Sequence, residues 1–155
     1  MFSLGATLQR RPHIYQLCIE DDGFPLAMVA LLERERWIAD QKVAAVYLWY
    51  LVGAPAAAVE SHGRPKLLTA AALDIAVTVS LNGGARGHLW LHAAPEGGQR
   101  LLDWYEARGL ERVPVGYSLP RARLVPRPND GRYFWLRPER SVVASELMKA
   151  YRSGS

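Results

Sequence analysis

At 155 residues, half of them apolar and 22% charged, the chain has the length and composition of one domain that buries a core without disulfide or metal staples. Its apolar runs fall far short of the roughly 20 residues that a membrane-spanning helix needs, and its one cysteine, Cys18, has no partner for an internal disulfide. The net charge of +4 is concentrated: between 121 and 140, Arg121, Arg123, Arg127, Arg132, Arg137 and Arg140 stand against Asp130 and Glu139. Arginines spaced along a loop and strand more often make a solvated face than a nucleic-acid surface, so nucleic acid is the least favoured partner.

Residues 1–12 are polar with little pattern, and the opening MFSLGATLQRRPH lacks the charged lead into an apolar stretch that marks a secretory leader. The expectation is a loose lead-in to a cytoplasmic protein that does not enter a membrane. His13 to Glu20 reads as a strand, with Cys18 a small buried hydrophobe in it. Asp21-Asp22-Gly23 reads as a turn, and Pro25 to Leu32 returns as the second strand of a hairpin. Glu33 to Arg36 extends that strand or begins the next turn, and Trp37 to Lys42 is a connection.

The centre of the chain is 46–115. Tyr47 to Val52 (YLWYLV) is a continuous apolar run, as in a strand covered on both faces. After the polar loop 60–66, Leu67 to Leu81 repeats apolar residues at helical spacing until Asn82-Gly83-Gly84 stops it. His88 to Ala93 is the next strand, and Gln99 to Arg108 a second helix closed by Gly109. Two strands joined by one crossover helix should be parallel neighbours. Beyond Leu110, Glu111 to Tyr117 reads as an edge strand with Pro114 in it, and Arg132 to Arg137 as its hairpin partner. Ser141 to Arg152 reads as a short helix with Val142, Val143, Leu147 and Met148 on one side, and 152–155 should fray. The whole is an α/β (α+β) domain: a mixed, mostly antiparallel sheet with a central parallel pair and helices on both faces.

Trp104-Tyr105-Glu106-Ala107-Arg108-Gly109-Leu110, preceded by the strand LWLHAAP, resembles the Tyr-Glu-x-x-Gly-Phe signature of the GNAT superfamily of N-acetyltransferases. The resemblance covers roughly residues 46–115. It implies acetyl-coenzyme A as co-substrate and an amine of a small molecule or peptide as acceptor. It also implies cofactor contacts from the backbone near Leu51 and Val52 and from a phosphate loop at Ser61, His62, Gly63, Arg64, Pro65 and Lys66. A helix N-terminus behind such a loop suits a pyrophosphate, but Glu60 stands where the family has Arg or Gln, Pro65 where it has Gly or Ala, and Gly98 where an asparagine often opens the last core helix. The two helices that usually precede the hairpin are absent from the pattern. Three explanations stay open: a small or open acceptor site, a wall supplied by another subunit as in a homodimer, or a non-catalytic module that binds coenzyme A or a protein partner.

By the same resemblance Tyr105 faces the thioester sulfur. A phenol at about 10 and a thiol at about 8.5 make full proton transfer uphill by roughly 2 kcal/mol, so hydrogen bonding to sulfur is the safer role, and packing on the helix's buried face is the plain alternative. No carboxylate lies on 47–52. His92, late on its strand, is the first candidate for the base, against a histidine held by a backbone carbonyl. His88 and His92 share a strand face but stand near 13 Å apart, roughly 3.3 Å per residue, so no metal site is expected. Trp49, Trp90, Trp104 and Trp135 read as core, while Trp37 is open between core and the wall of an acceptor pocket.

Overall fold

The computed structural model describes residues 11–18, 23–55, 68–119 and 128–151. Six strands, β1 (His13–Cys18), β2 (Pro25–Arg36), β3 (Ala44–Gly53), β4 (Leu89–His92), β5 (Glu111–Arg112) and β6 (Tyr133–Leu136), form one sheet in the order β1-β2-β3-β4-β6-β5. Every neighbouring pair is antiparallel except β3 and β4, which run parallel through Val46–Leu89, Tyr47–Trp90 and Leu48–Leu91. The crossover between them contains α1 (Leu68–Asn82), while α2 (Gly98–Glu106) and α3 (Pro138–Leu147) follow β4 and β6. The mixed sheet with its central parallel pair is therefore the one expected from the sequence.

Strand alternation sorts the interior into two clusters. Ala27, Val29, Leu31, Val46, Leu48, Leu89, Leu91, Phe134 and Leu136 face one way and meet Ala72, Leu73, Ala76 and Val77 of α1, Leu102 and Tyr105 of α2, and Ala144 of α3. All three described helices thus lie on one face. Helices were expected on both faces, but the opposite one is covered by irregular segments: Trp37 and Ile38 before β3, and Val113 and Leu119 after β5, pack on Ala45, Trp90, Tyr133 and Trp135. Trp37 is stacked on Trp135 at 5.7 Å between ring centroids and is 5% exposed, so it is part of the core.

Four local readings need correction. Cys18 is exposed, because edge strand β1 turns Ile14, Gln16 and Cys18 away from the helix-side core and only Tyr15 and Leu17 toward it. Strand β3 is covered on both faces only as far as Leu48; beyond it Trp49, Tyr50 and Val52 are exposed. Strand β5 stops at Arg112, two residues before Pro114. In α3 the helix begins earlier, with Pro138 in its first turn, and buries Ser141 and Ala144 with Met148 beyond, leaving Val142, Val143 and Leu147 exposed.

One junction ties α1 to α3. Ser80 and Ser141 are both fully buried, and each hydroxyl is satisfied, Ser80 Oγ donating to Val77 O at 2.7 Å and Ser141 Oγ to Gly87 O at 2.5 Å. The Gly87 N–H in turn donates to Ser80 O at 2.6 Å. Gly87 holds this position at φ +89°, where a Cβ would lie 2.9 Å from Pro138 Cα. Gly87→Ala should cost about 2 kcal/mol through left-handed strain and that contact. Thermal unfolding should then show a midpoint roughly 4–8 °C lower.

Candidate active site

The feature that distinguishes the centre of the sheet is where β3 and β4 part. Their pairing ends at Leu48–Leu91, yet β3 continues along β2 to Gly53. The register with β2 shifts between Ala30–Tyr50 and Leu31–Leu48, which makes Trp49 the extra residue of a β-bulge. Beyond Leu48 the edge of β3 that faced β4 has no strand partner among the described residues. The C-terminal end of β3 is also where α1 begins: a Cβ on Gly53 would lie 2.7 Å from Thr69 Oγ1. The stretch of β3 beyond its pairing with β4 therefore adjoins the first described turn of α1.

Leu51 and Val52 lie on this stretch of β3, opposite Val29 and Met28 of β2. Ser61, His62, Gly63, Arg64, Pro65 and Lys66 lie outside the described residues. Gly98, where the resemblance would put an asparagine, opens α2 at φ +55°.

Tyr105 lies on the helix side of the sheet, 5% exposed, its ring 5.3 Å from Phe134 and 5.1 Å from Trp104. Burial pushes its phenol up to about 12. Against a thiol at about 8.5, proton transfer from it would be uphill by about 5 kcal/mol. As a proton donor it is disfavoured more strongly than the free side chain; as a neutral hydrogen-bond donor it is held in that form.

His92 occupies the other face. It follows Leu91 of the helix-side cluster, and its ring lies 4.4 Å from that of Tyr133, a member of the opposite cluster. The structure thus puts the two candidate catalytic residues on opposite sides of the sheet, Tyr105 over Phe134 of β6 and His92 at the end of β4, just past Leu91. His92 Nε2 meets Asp130 Oδ2 at 2.8 Å, a carboxylate partner in place of the backbone carbonyl that serves His88, whose Nδ1 lies 2.9 Å from Ala85 O. Asp130 is itself oriented, its Oδ1 accepting the Arg132 N–H at 3.0 Å. Burial raises the Asp130 carboxyl, but the bonds from His92 and from the Arg132 backbone outweigh it and hold the group below its ordinary range. The Arg132 guanidinium bonds to Ala93 O at 3.0 Å and Ala94 O at 2.6 Å, fixing the turn after β4.

Sequence reasoning missed Asp130, because nothing local marks it; it is 38 residues from His92 and reaches it only because β6 pairs with β4. Its one sequence signal is the Asn129-Asp130-Gly131 turn that precedes β6.

Two other features lie away from the opening. A cleft of about 330 Å³ lined by Glu33, Arg34, Glu35, Arg36, Ala44 and Gly84 sits at the opposite end of β3. On the edge strand, Glu33 Oε1 accepts from Tyr15 Oη at 2.5 Å and pairs with His13 Nδ1 at 2.7 Å; that bond to Glu33, with burial behind it, pushes the Tyr15 phenol up to about 12. Among the described residues no group of three His, Cys, Asp or Glu side chains gathers as a metal site, and no helix is long and apolar enough to cross a membrane. No protein-family model matches the chain, and no curated protein matches it.

Because Asp130 titrates lower in the folded chain than in the unfolded one, its contribution to stability is present above the unfolded carboxyl range and is lost as pH falls through the folded value. Asp130→Asn removes that contribution. Urea midpoints should separate wild type from the variant at neutral pH, and the gap should close on acidification below about pH 4. A gap that is constant with pH would mean the carboxylate is not held by His92 and Arg132.

Proposed function

We propose that the protein is an acetyl-coenzyme A-dependent N-acetyltransferase acting on an amine of a small molecule or peptide, in the cytoplasm. The observation that carries the reading is the parting of the parallel pair after Leu48–Leu91, which leaves an open edge on β3 beside the start of α1. Pantetheine is an extended chain with two amide groups, and an unpaired strand edge is the surface that satisfies such groups. The backbone at Leu51 and Val52 would receive it, the loop Ser61, His62, Gly63, Arg64, Pro65, Lys66 would take the pyrophosphate, and Tyr105 would lie near the sulfur. His92 would act as the proton acceptor that an ammonium needs before it can attack. Further support comes from the sequence, where Trp104 to Leu110 resembles the signature of the GNAT superfamily.

A second reading has its own observation. The deep burial of Tyr105, with its phenol pushed to about 12, also suits a purely structural ring in a module that binds coenzyme A or a protein partner without turnover.

Acetyl-coenzyme A at a hundred times its dissociation constant should stabilise the chain by about 2.7 kcal/mol. For a domain of this size that raises the unfolding midpoint by roughly 5–10 °C. No shift at millimolar cofactor would refute both coenzyme A readings. Tyr105→Phe separates catalysis from binding: an enzyme should keep the cofactor-induced shift and lose turnover by about 100-fold, while a module has no turnover to lose.

A further inference from the structure

The helix-free face around the opening carries more than one histidine. Leu48 and Leu51 both pack against the helix-side core, although they are three residues apart. Regular alternation cannot do this; the bulge makes up the difference and turns both intervening residues, Trp49 and Tyr50, to the other face. There they are 57% and 56% exposed, two large rings in sequence with neither cluster to cover them. Trp49 follows Leu48 and His92 follows Leu91, and Leu48 and Leu91 are paired. The two exposed rings and the His92–Asp130 pair therefore stand level with each other across the opening, on the same face.

We infer that the acceptor is a primary amine carried on an aromatic body, that it docks over Trp49 and Tyr50, and that it gives its proton to His92, with Asp130 as the positioning residue. The inference rests on the acetyl-transfer reading and adds to it the substrate class and the face of entry. Aromatic faces attract both a flat ring and an ammonium group. The groups around His92 favour that cation. Asp130 lies on its Nε2, Tyr133 from β6 lies against its ring, and the Arg132 guanidinium is engaged with the carbonyls of Ala93 and Ala94.

The hydrogen bonding also fixes which nitrogen acts. An ionised carboxylate only accepts, so Nε2 carries the hydrogen, and in the neutral imidazole Nδ1 then carries the lone pair. The ammonium gives one proton to Nδ1, and the freed amine attacks the thioester carbonyl carbon. The C–N bond forms as the C–S bond breaks, the second proton shed by nitrogen ends on the departing sulfur, and the proton on His92 passes to water.

The test uses the full chain, with acetyl-coenzyme A binding followed by calorimetry and initial rates measured for 2-phenylethylamine, tryptamine and n-hexylamine. The aromatic amines should exceed hexylamine in kcat/KM by about tenfold or more, and Trp49→Ala should bring the ratio near one. His92→Ala should lower kcat by about 100-fold while acetyl-coenzyme A affinity stays within about twofold. Asp130→Asn should lower kcat while the KM for acetyl-coenzyme A stays within about twofold, and Asp130→Glu should restore part of the rate. Cofactor binding with no aromatic preference, no aromatic turnover, or turnover indifferent to His92 overturns the inference. Failure of wild type to bind acetyl-coenzyme A instead removes the reading beneath it.

Discussion

The organisation of this chain depends on a parallel strand pair that is held for only three residue pairs and then released. Val46, Leu48, Leu89 and Leu91 anchor the closed part, all of them buried on the helix side. Past that point β3 stays with β2 and β4 stays with β6, so each strand remains held in its own antiparallel pair while the seam between them opens. An open seam in the middle of a sheet leaves backbone groups without ladder partners, which is costly wherever water cannot reach them. Here the residues of β3 beyond the pairing include the exposed Trp49, Tyr50 and Val52. The bulge at Trp49 is the local device that makes the divergence possible, because an added residue bends and twists the strand that carries it.

The two faces of the sheet divide their work. The helix face is aliphatic and alanine-rich, and small residues of α1 let that helix sit close over β2 and β3. The other face is built from indole and phenol rings supported by irregular chain, with Trp90 Nε1 donating to Arg36 O at 3.0 Å so that its polar edge is not buried unsatisfied. Rings can cover a sheet without a helix because each one spans several strand positions. That cover stops short of the seam, so the aromatic face passes from packed core at Trp135 and Trp90 to accessible surface at Trp49 and Tyr50.

Much of this was legible in the sequence where pattern and position agree. The order strand, crossover helix, strand over 47–93 implies a parallel pair, and the pair is there. What was not legible depended on contacts between distant segments. YLWYLV reads as buried throughout because hydropathy records no bulge and no departing neighbour. Cys18 reads as buried because its neighbours are apolar, but an edge strand has one face without cover. In α3, Val142, Val143 and Leu147 are more apolar than Ser141 and Ala144, yet the small residues are the ones buried, Ser141 against the Gly87 carbonyl and Ala144 in the helix-side core. Close approach outweighed hydropathy there. Asp130 was invisible for the same reason: a carboxylate in a turn acquires its meaning from the histidine that strand pairing brings to it.

The separation of Tyr105 and His92 by the sheet bears on how the proposed chemistry would run. A single acid–base pair shuttling one proton needs both groups on one side of the reacting carbon. Here the phenol, pushed to about 12, is on the helix side, and the imidazole is on the aromatic side. The two ends of an acyl transfer make opposite demands. The leaving sulfur, which gathers negative charge, needs a hydrogen-bond donor that does not itself ionise, and the entering nitrogen, which must lose a proton, needs an acceptor backed by a carboxylate. A seam open to both faces would let cofactor and acceptor meet from opposite sides, each against the group suited to it. On this geometry the opening itself, more than any one residue, would set the reaction's direction.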